Sequence, residues 1–246
     1  MRHFSRYHGQ INRFLHNVGL RMRTVVILQS NYIPWRGYFD LMRRADAFVL
    51  YDEVQFTERD WRNRNRIMTR DGAQWLSIPV RKSGKFGQPI NQTETVDASW
   101  TRKHWARIQD SYAKAPNFPV VREWLEPCYV AAAAETKLSQ INRLFLTAIA
   151  RYLDLEAELV WSHDIPGSGD RIERLVQICS HLGANHFLCG PAAQSYLDTS
   201  VFEEKNIAVE WMNYPPYPMT DSNPGNEALS ILDALFWLPK DQIFEA

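Results

Sequence analysis

Short apolar runs alternate with stretches of helical periodicity along most of this chain. Val25, Val26, Ile27 and Leu28 follow Thr24 without a polar interruption, which is the pattern of a strand covered on both faces. A helix predicted from about Arg36 to Arg44 leads to a second run, Ala47 to Tyr51, so this region predicts a β-α-β unit. Asp71-Gly72 marks a turn, and Trp75 to Val80 reads as a third strand. From about residue 99 to 153 the period lengthens. Leu138, Ile141, Leu144, Phe145, Ala148 and Tyr152 recur at the spacing of one helix face.

A second α/β portion follows this helical block. It opens with a strand at Glu158 to Ser162, and the next helix has a defined start: Asp170 as cap, Glu173 three residues on, and Ile172, Leu175, Val176 and Cys179 on one face. Gly183 suits a left-handed helix stop. His186 to Cys189 and Ala208 to Met212 read as strands, Tyr214 to Pro224 as a Pro-rich loop, and Leu229 to Leu238 as a terminal helix. Because each parallel pairing needs a crossover, this alternation predicts an α/β fold with a mainly parallel, doubly wound Rossmann-like sheet and a helical insertion. Residues 22–246 are expected to form a single domain. Residues 1–21 stand apart, with four arginines, three histidines and no acid. They are either an appended amphipathic helix carrying Ile11, Phe14, Leu15 and Val18 on one face, or the product of a start codon misassigned ahead of Met22.

Charge and composition narrow the function classes. Across 246 residues, 28 basic side chains balance 28 acidic ones, so bulk attraction to nucleic acid or anionic lipid is not expected. Removing residues 1–21 leaves 24 basic against 28 acidic, a mildly acidic body. Within it, Arg59, Arg62, Arg64, Arg66 and Arg70 form a local cationic segment. No apolar run approaches the length of a membrane span, and no secretory signal is evident. Three cysteines without metal-like spacing, Cys128, Cys179 and Cys189, fit a reducing, cytoplasmic setting. The histidines lack ligand spacing as well, so no metal site is assigned and the cofactor is left open.

In parallel sheets, ligands collect at the carboxyl ends of strands. The first strand is followed by Gln29, Ser30, Asn31, Tyr32, Ile33, Pro34 and Trp35, and the second by Asp52, Glu53 and Gln55. Either these groups line one rim as a site, or Tyr32 and Trp35 simply pack. In an extended segment Arg62, Arg64 and Arg66 would project to one side, an arrangement suited to gripping phosphate or carboxylate, while Asn63 and Asn65 face the other way. A solvated edge strand would show the same alternation. Trp61 within the run favours a site. Cys189 beside Gly190 is either within reach of a ligand or a packed thiol. Walker-type, dinucleotide-binding and nucleophile-elbow signatures are absent.

The segment Leu28-Gln29-Ser30-Asn31-Tyr32-Ile33-Pro34-Trp35-Arg36-Gly37-Tyr38-Phe39-Asp40 resembles the WbqC-like protein family. The resemblance continues through Asp52-Glu53-Val54-Gln55-Phe56, Arg59-Asp60-Trp61-Arg62-Asn63-Arg64-Asn65, Trp75 to Val80, Gly190-Pro191, Tyr196-Leu197-Asp198 and Ser230 to Asp233. It implies a bacterial protein often encoded among surface-polysaccharide or O-antigen genes, with a suggested glycine or aminoacyl transferase role on an amino sugar. Two departures stand out: Ser30 replaces a usual Pro, which is expected to loosen the loop, and Pro218-Met219-Thr220 stand where a Gln usually follows the Tyr217 position. The layout of the first strands also resembles pantothenate-synthetase-like nucleotidyl transferases, but their first-loop histidines are missing here.

The expected function is therefore a transferase that forms an amide on an amino sugar in O-antigen or surface-polysaccharide (lipopolysaccharide) biosynthesis. Its expected partners are small molecules, a nucleotide-linked amino sugar and an amino-acid or acyl donor. Alternatives are an ATP-dependent adenylate-forming ligase and a non-catalytic nucleotide-sugar binding protein. In the transferase reading Asp52 is the base, supported by Gln55, and Gln29 completes the catalytic set. Asn31, Tyr32, Trp35, Arg59, Trp61, Arg62, Asn63, Arg64, Gly190 and Tyr196 bind substrate. Oligomeric state is left open.

Overall fold

A computed structural model describes residues 22–223 and 228–245. The expectations for residues 1–21 lie outside this range. Strand β1 (Thr24–Leu28), helix α1 (Arg36–Arg43) and strand β2 (Ala47–Leu50) form the expected β-α-β unit, with Val25 opposite Ala47 and Leu28 opposite Leu50. β3 (Arg64–Thr69) and β4 (Gly72–Ser77) follow, then three helices, α2 (Ser99–Tyr112), α3 (Phe118–Ala132) and α4 (Leu138–Tyr152). The second portion comprises β5 (Glu158–Trp161), α5 (Arg171–His181), β6 (His186–Cys189), α6 (Ser200–Glu203), β7 (Ala208–Trp211) and α7 (Leu232–Trp237).

Five strands make one all-parallel sheet in the order β5-β2-β1-β6-β7. The fold is the mainly parallel, Rossmann-like α/β architecture that the pattern predicts. Successive strand residues point to opposite faces, and here each face has its own core. Val26, Phe48 and Leu50 join α1 and the helical block on one side. Val25, Ile27, Ala47 and Val49 pack on α5 on the other. This two-sided burial is why the strands read as continuous apolar runs.

The chain moves from β1 to β2 and β5, then returns to the opposite side of β1 through β6 and β7. The reversal places a crevice at the carboxyl ends of β1 and β6, where open α/β sheets hold their ligands. Asp170 and Glu173 form a reciprocal capping box at the start of α5, and Gly183 has φ +65° just beyond its end.

The third predicted strand differs from expectation. It starts earlier, at Gly72, and pairs antiparallel with β3 in a separate ribbon outside the main sheet. The terminal helix begins later than predicted because the preceding residues are tied to the first loop and the ribbon: the Ser230 hydroxyl donates to the Ile33 carbonyl (2.7 Å), and its N–H donates to the Arg66 carbonyl (2.8 Å). Among the described residues, no helix is long and apolar enough to cross a membrane.

Candidate functional site

The loop after β1 is fastened from below by a buried polar cluster. Asp52, which follows β2, is 0% exposed. It accepts the Ser30 N–H (2.8 Å), the Ser30 hydroxyl (2.6 Å) and the Ser139 hydroxyl (2.7 Å). Asn142 of α4 adds its amide, donating to the Ser30 hydroxyl oxygen (3.0 Å) and the Arg62 carbonyl (2.9 Å). Burial pushes the Asp52 carboxyl above its ordinary pKa, against the pull of the Ser30 and Ser139 bonds and of Arg62. In this geometry Asp52 is closed off from solvent, so the side chain expected as base lies beneath the loop and not on its surface. Ser30 tightens the loop through these bonds and does not loosen it. Gln55 is exposed and bridges by its backbone to Pro89.

On the solvent side, the structure brings three of the expected residues together. Arg62 donates from Nη1 to Asn31 Oδ1 and from Nη2 to Gln29 Oε1 (3.3 Å), and its Nη2 lies 3.5 Å from Asp60. The remaining arginines part from it. Arg64 and Arg66 lie on the ribbon, with their guanidinium carbons 4.1 and 5.7 Å from the centre of the Trp75 ring. Trp61 lies 5.5 Å from Trp75, and both indoles are 40% exposed, which leaves a cationic and aromatic surface beside Arg62. Asn63 and Asn65 face the other way and donate to the carbonyls of Ile78 and Ile33, both at 2.8 Å. Arg59 is exposed, with φ +59°, and its carbonyl accepts from Arg64.

Other expected residues lie elsewhere. Tyr32 is wholly buried, with its hydroxyl 2.9 Å from His104 Nδ1 and 2.6 Å from the Tyr129 hydroxyl, and so belongs to the core. Tyr196 lies under Arg171 at 3.8 Å. Cys189 is buried, and burial pushes its thiol up to about 12, which is the packed alternative. Ile33 has φ +41°, a strained conformation for a β-branched residue, held by the Asn65 and Ser230 side chains on its carbonyl.

A cavity of about 290 Å³ opens next to the crevice, lined by Trp35, Arg36, Tyr214, Tyr217 and Asp233 among others. Trp35 stands 4.8 Å from Tyr214 and 6.0 Å from Tyr217. Gly37 makes this possible, because a Cβ there would lie 2.4 Å from two carbons of the Trp35 ring. Tyr217 donates to the fully buried Asp40 (2.9 Å), which pins the Pro-rich loop to α1. Tyr214 lies against Gly190 at the end of β6, and burial pushes its phenol up to about 12. Sequence reasoning found Trp35 and Gly190 but missed Arg36, Tyr214, Tyr217 and Asp233. The signal for the two tyrosines was the Tyr-Pro-Pro-Tyr run inside the loop, while Arg36 and Asp233 lie within the stretches that carry the family resemblance. Among the described residues, no group of three or more His, Cys, Asp or Glu is placed to hold a metal ion.

Fold and crevice together define a doubly wound α/β protein with a polar and aromatic crevice at its topological switch point. The chain belongs to the WbqC-like protein family, whose sequence model matches residues 29–245. It is similar to a Mycobacterium tuberculosis (strain ATCC 25618 / H37Rv) protein named "Uncharacterized protein Rv1507c", 42% identical over 217 residues that cover 87% of this chain and 94% of that relative. No solved structure matches the chain.

Proposed function

We propose that this protein is a transferase that forms an amide on a nucleotide-linked amino sugar during surface-polysaccharide assembly. The observation that carries this reading is Arg62, held by Gln29 and Asn31 at the carboxyl end of β1 and flanked by the Trp61–Trp75 pair. A guanidinium in that position suits the diphosphate of a sugar nucleotide, and an exposed indole pair suits its base or sugar face. Family membership and the resemblance noted above supply the direction toward amino sugars.

In this reading Gln29 and Asn31 orient the acceptor through hydroxyl or acyl groups, Arg62 and Arg64 hold charge, and Asp52 sets the loop without touching substrate. Amide formation joins the sugar amine to the acyl carbon, expels the donor's leaving group and releases the amine proton to water. The test is incubation of purified protein with a panel of amino-sugar nucleotides and acyl donors, read by mass spectrometry. A product that carries the added acyl mass supports the transferase. Pyrophosphate release from ATP with an amino acid would replace it with an adenylate-forming ligase. Sugar nucleotide bound and returned unchanged with every donor would leave a binding protein.

A further inference from the structure

The Arg36 cavity carries more than a stacking wall. Arg36 opens α1, and its Nη1 is buried without a hydrogen-bond partner among the described residues. Of the described buried polar atoms that lack a partner, it alone belongs to a residue lining this cavity. Burial lowers the Arg36 pKa, with Asp233 and Tyr217 opposing. The guanidinium carbon lies 5.1 Å from the centre of the Tyr217 ring. Nη1 itself is shut off from the cavity, so an anion there would bond the other N–H groups of this half-buried cation and offset the cost of its desolvation.

The surroundings limit which anion fits. Among the described lining residues Arg36 is the one cation, and Asp233 lines the same space. A phosphate dianion would carry more charge than one guanidinium balances and would be repelled by that carboxylate about twice as strongly as a monoanion. Asp233 is itself held by hydroxyl donors, from Ser222 (2.5 Å), Tyr112 (3.3 Å) and Thr220. A volume of about 290 Å³ corresponds to roughly ten waters. Trp35, Tyr214 and Tyr217 give the cavity aromatic walls.

We propose that this cavity is a binding site for a small monocarboxylate, whose carboxylate meets Arg36 and whose body packs between Trp35 and Tyr214. The site is separate from the Arg62 cluster, and it stands whether or not the protein transfers a group.

The test uses full-length protein labelled with 5-fluorotryptophan, with the Trp35 resonance identified by its loss in Trp35→Phe. Benzoate is expected to move that resonance saturably, and benzamide, its neutral counterpart, to bind about tenfold more weakly or worse, because it lacks the charge-assisted bond. Arg36→Met is expected to abolish the difference between the two. Acetate is expected to displace benzoate more effectively than inorganic phosphate. Equal affinity for benzoate and benzamide, an unmoved Trp35 resonance, or a preference kept in Arg36→Met would overturn the proposal, and stronger displacement by phosphate would overturn the carboxylate class. Should Arg36→Met fail to fold, the wild-type preference and the Trp35 shift decide by themselves.

Discussion

Asp52 accepts both the N–H and the hydroxyl of Ser30, at 2.8 and 2.6 Å, so one carboxylate at the end of β2 fixes the loop at the end of β1. The bond crosses between neighbouring strands and lies directly beneath Gln29 and Asn31. Replacing Asp52 with Asn puts an amide where hydroxyl donors converge on Oδ2. The expected cost is about 1–3 kcal/mol of stability, with a smaller loss, about 1 kcal/mol, for Ser139→Ala. Urea unfolding measures both. Unchanged stability of Asp52→Asn together with lost turnover would restore Asp52 to a chemical role.

Gly37 lets the Trp35 ring fold over the start of α1, since a Cβ would come within 2.4 Å of it. Because Trp35 is partly exposed, its ring can swing away, so Gly37→Ala should leave stability within about 1 kcal/mol of wild type, with helix propensity favouring Ala. The ring should move off Tyr214, and benzoate affinity should fall. A Gly37→Ala protein that keeps the Trp35–Tyr214 contact by NMR and keeps its benzoate affinity would contradict this account.

Arg174 is 6% exposed and joins the loops that follow β2 and β5. It donates to Glu53 (2.7 Å) and to the carbonyls of Ser162 (2.7 Å) and Ile165 (2.8 Å). Arg174→Ala strands these acceptors and is expected to cost about 3–5 kcal/mol, a fall of roughly 10 °C in Tm for a chain of this size. Glu53→Gln should cost less, because the amide oxygen still accepts from Arg174 and the carbonyl bonds remain, even though the buried guanidinium loses its counter-charge. Calorimetry that shows equal losses would mean that the pair, not the carbonyl bonds, holds the loops.

How far the fold could be read depended on whether the deciding interactions were local. The β1-α1-β2 unit and the Asp170 capping box rest on spacing over a few residues, and both stand as expected. β3 did not show itself, because Arg64, Asn65 and Arg66 look like a solvated segment until β4 supplies the partner. Gln29, Asn31 and Arg62 were legible as chemistry at strand ends, but nothing in the residue types separated the buried Tyr32 and Asp52 from them. Arg36 and Asp233 lie far apart in sequence, and only the docking of the α7 region against the first loop brings them to one cavity.

His104 makes stability depend on pH, because the fold keeps it neutral. It is 7% exposed, and its Nδ1 lies 2.9 Å from the Tyr32 hydroxyl. Burial first, and Arg107 as well, lower its pKa to about 4 from the ordinary 6.5. In the unfolded chain the ring takes up a proton as pH falls through 6.5, while in the folded chain it does so only near 4. The unfolded state therefore binds more protons in that window, and stability falls as pH drops from 6.5 to 4, by about 3 kcal/mol in all. Above pH 6.5 this group has no effect. Urea unfolding at half-unit steps from pH 7.5 to 4.5 should show this slope in wild type, added to what the carboxylates contribute. His104→Gln should be less stable at pH 7.5 yet lose less on acidification, and parallel curves for the two proteins would exclude His104 as the titrating group.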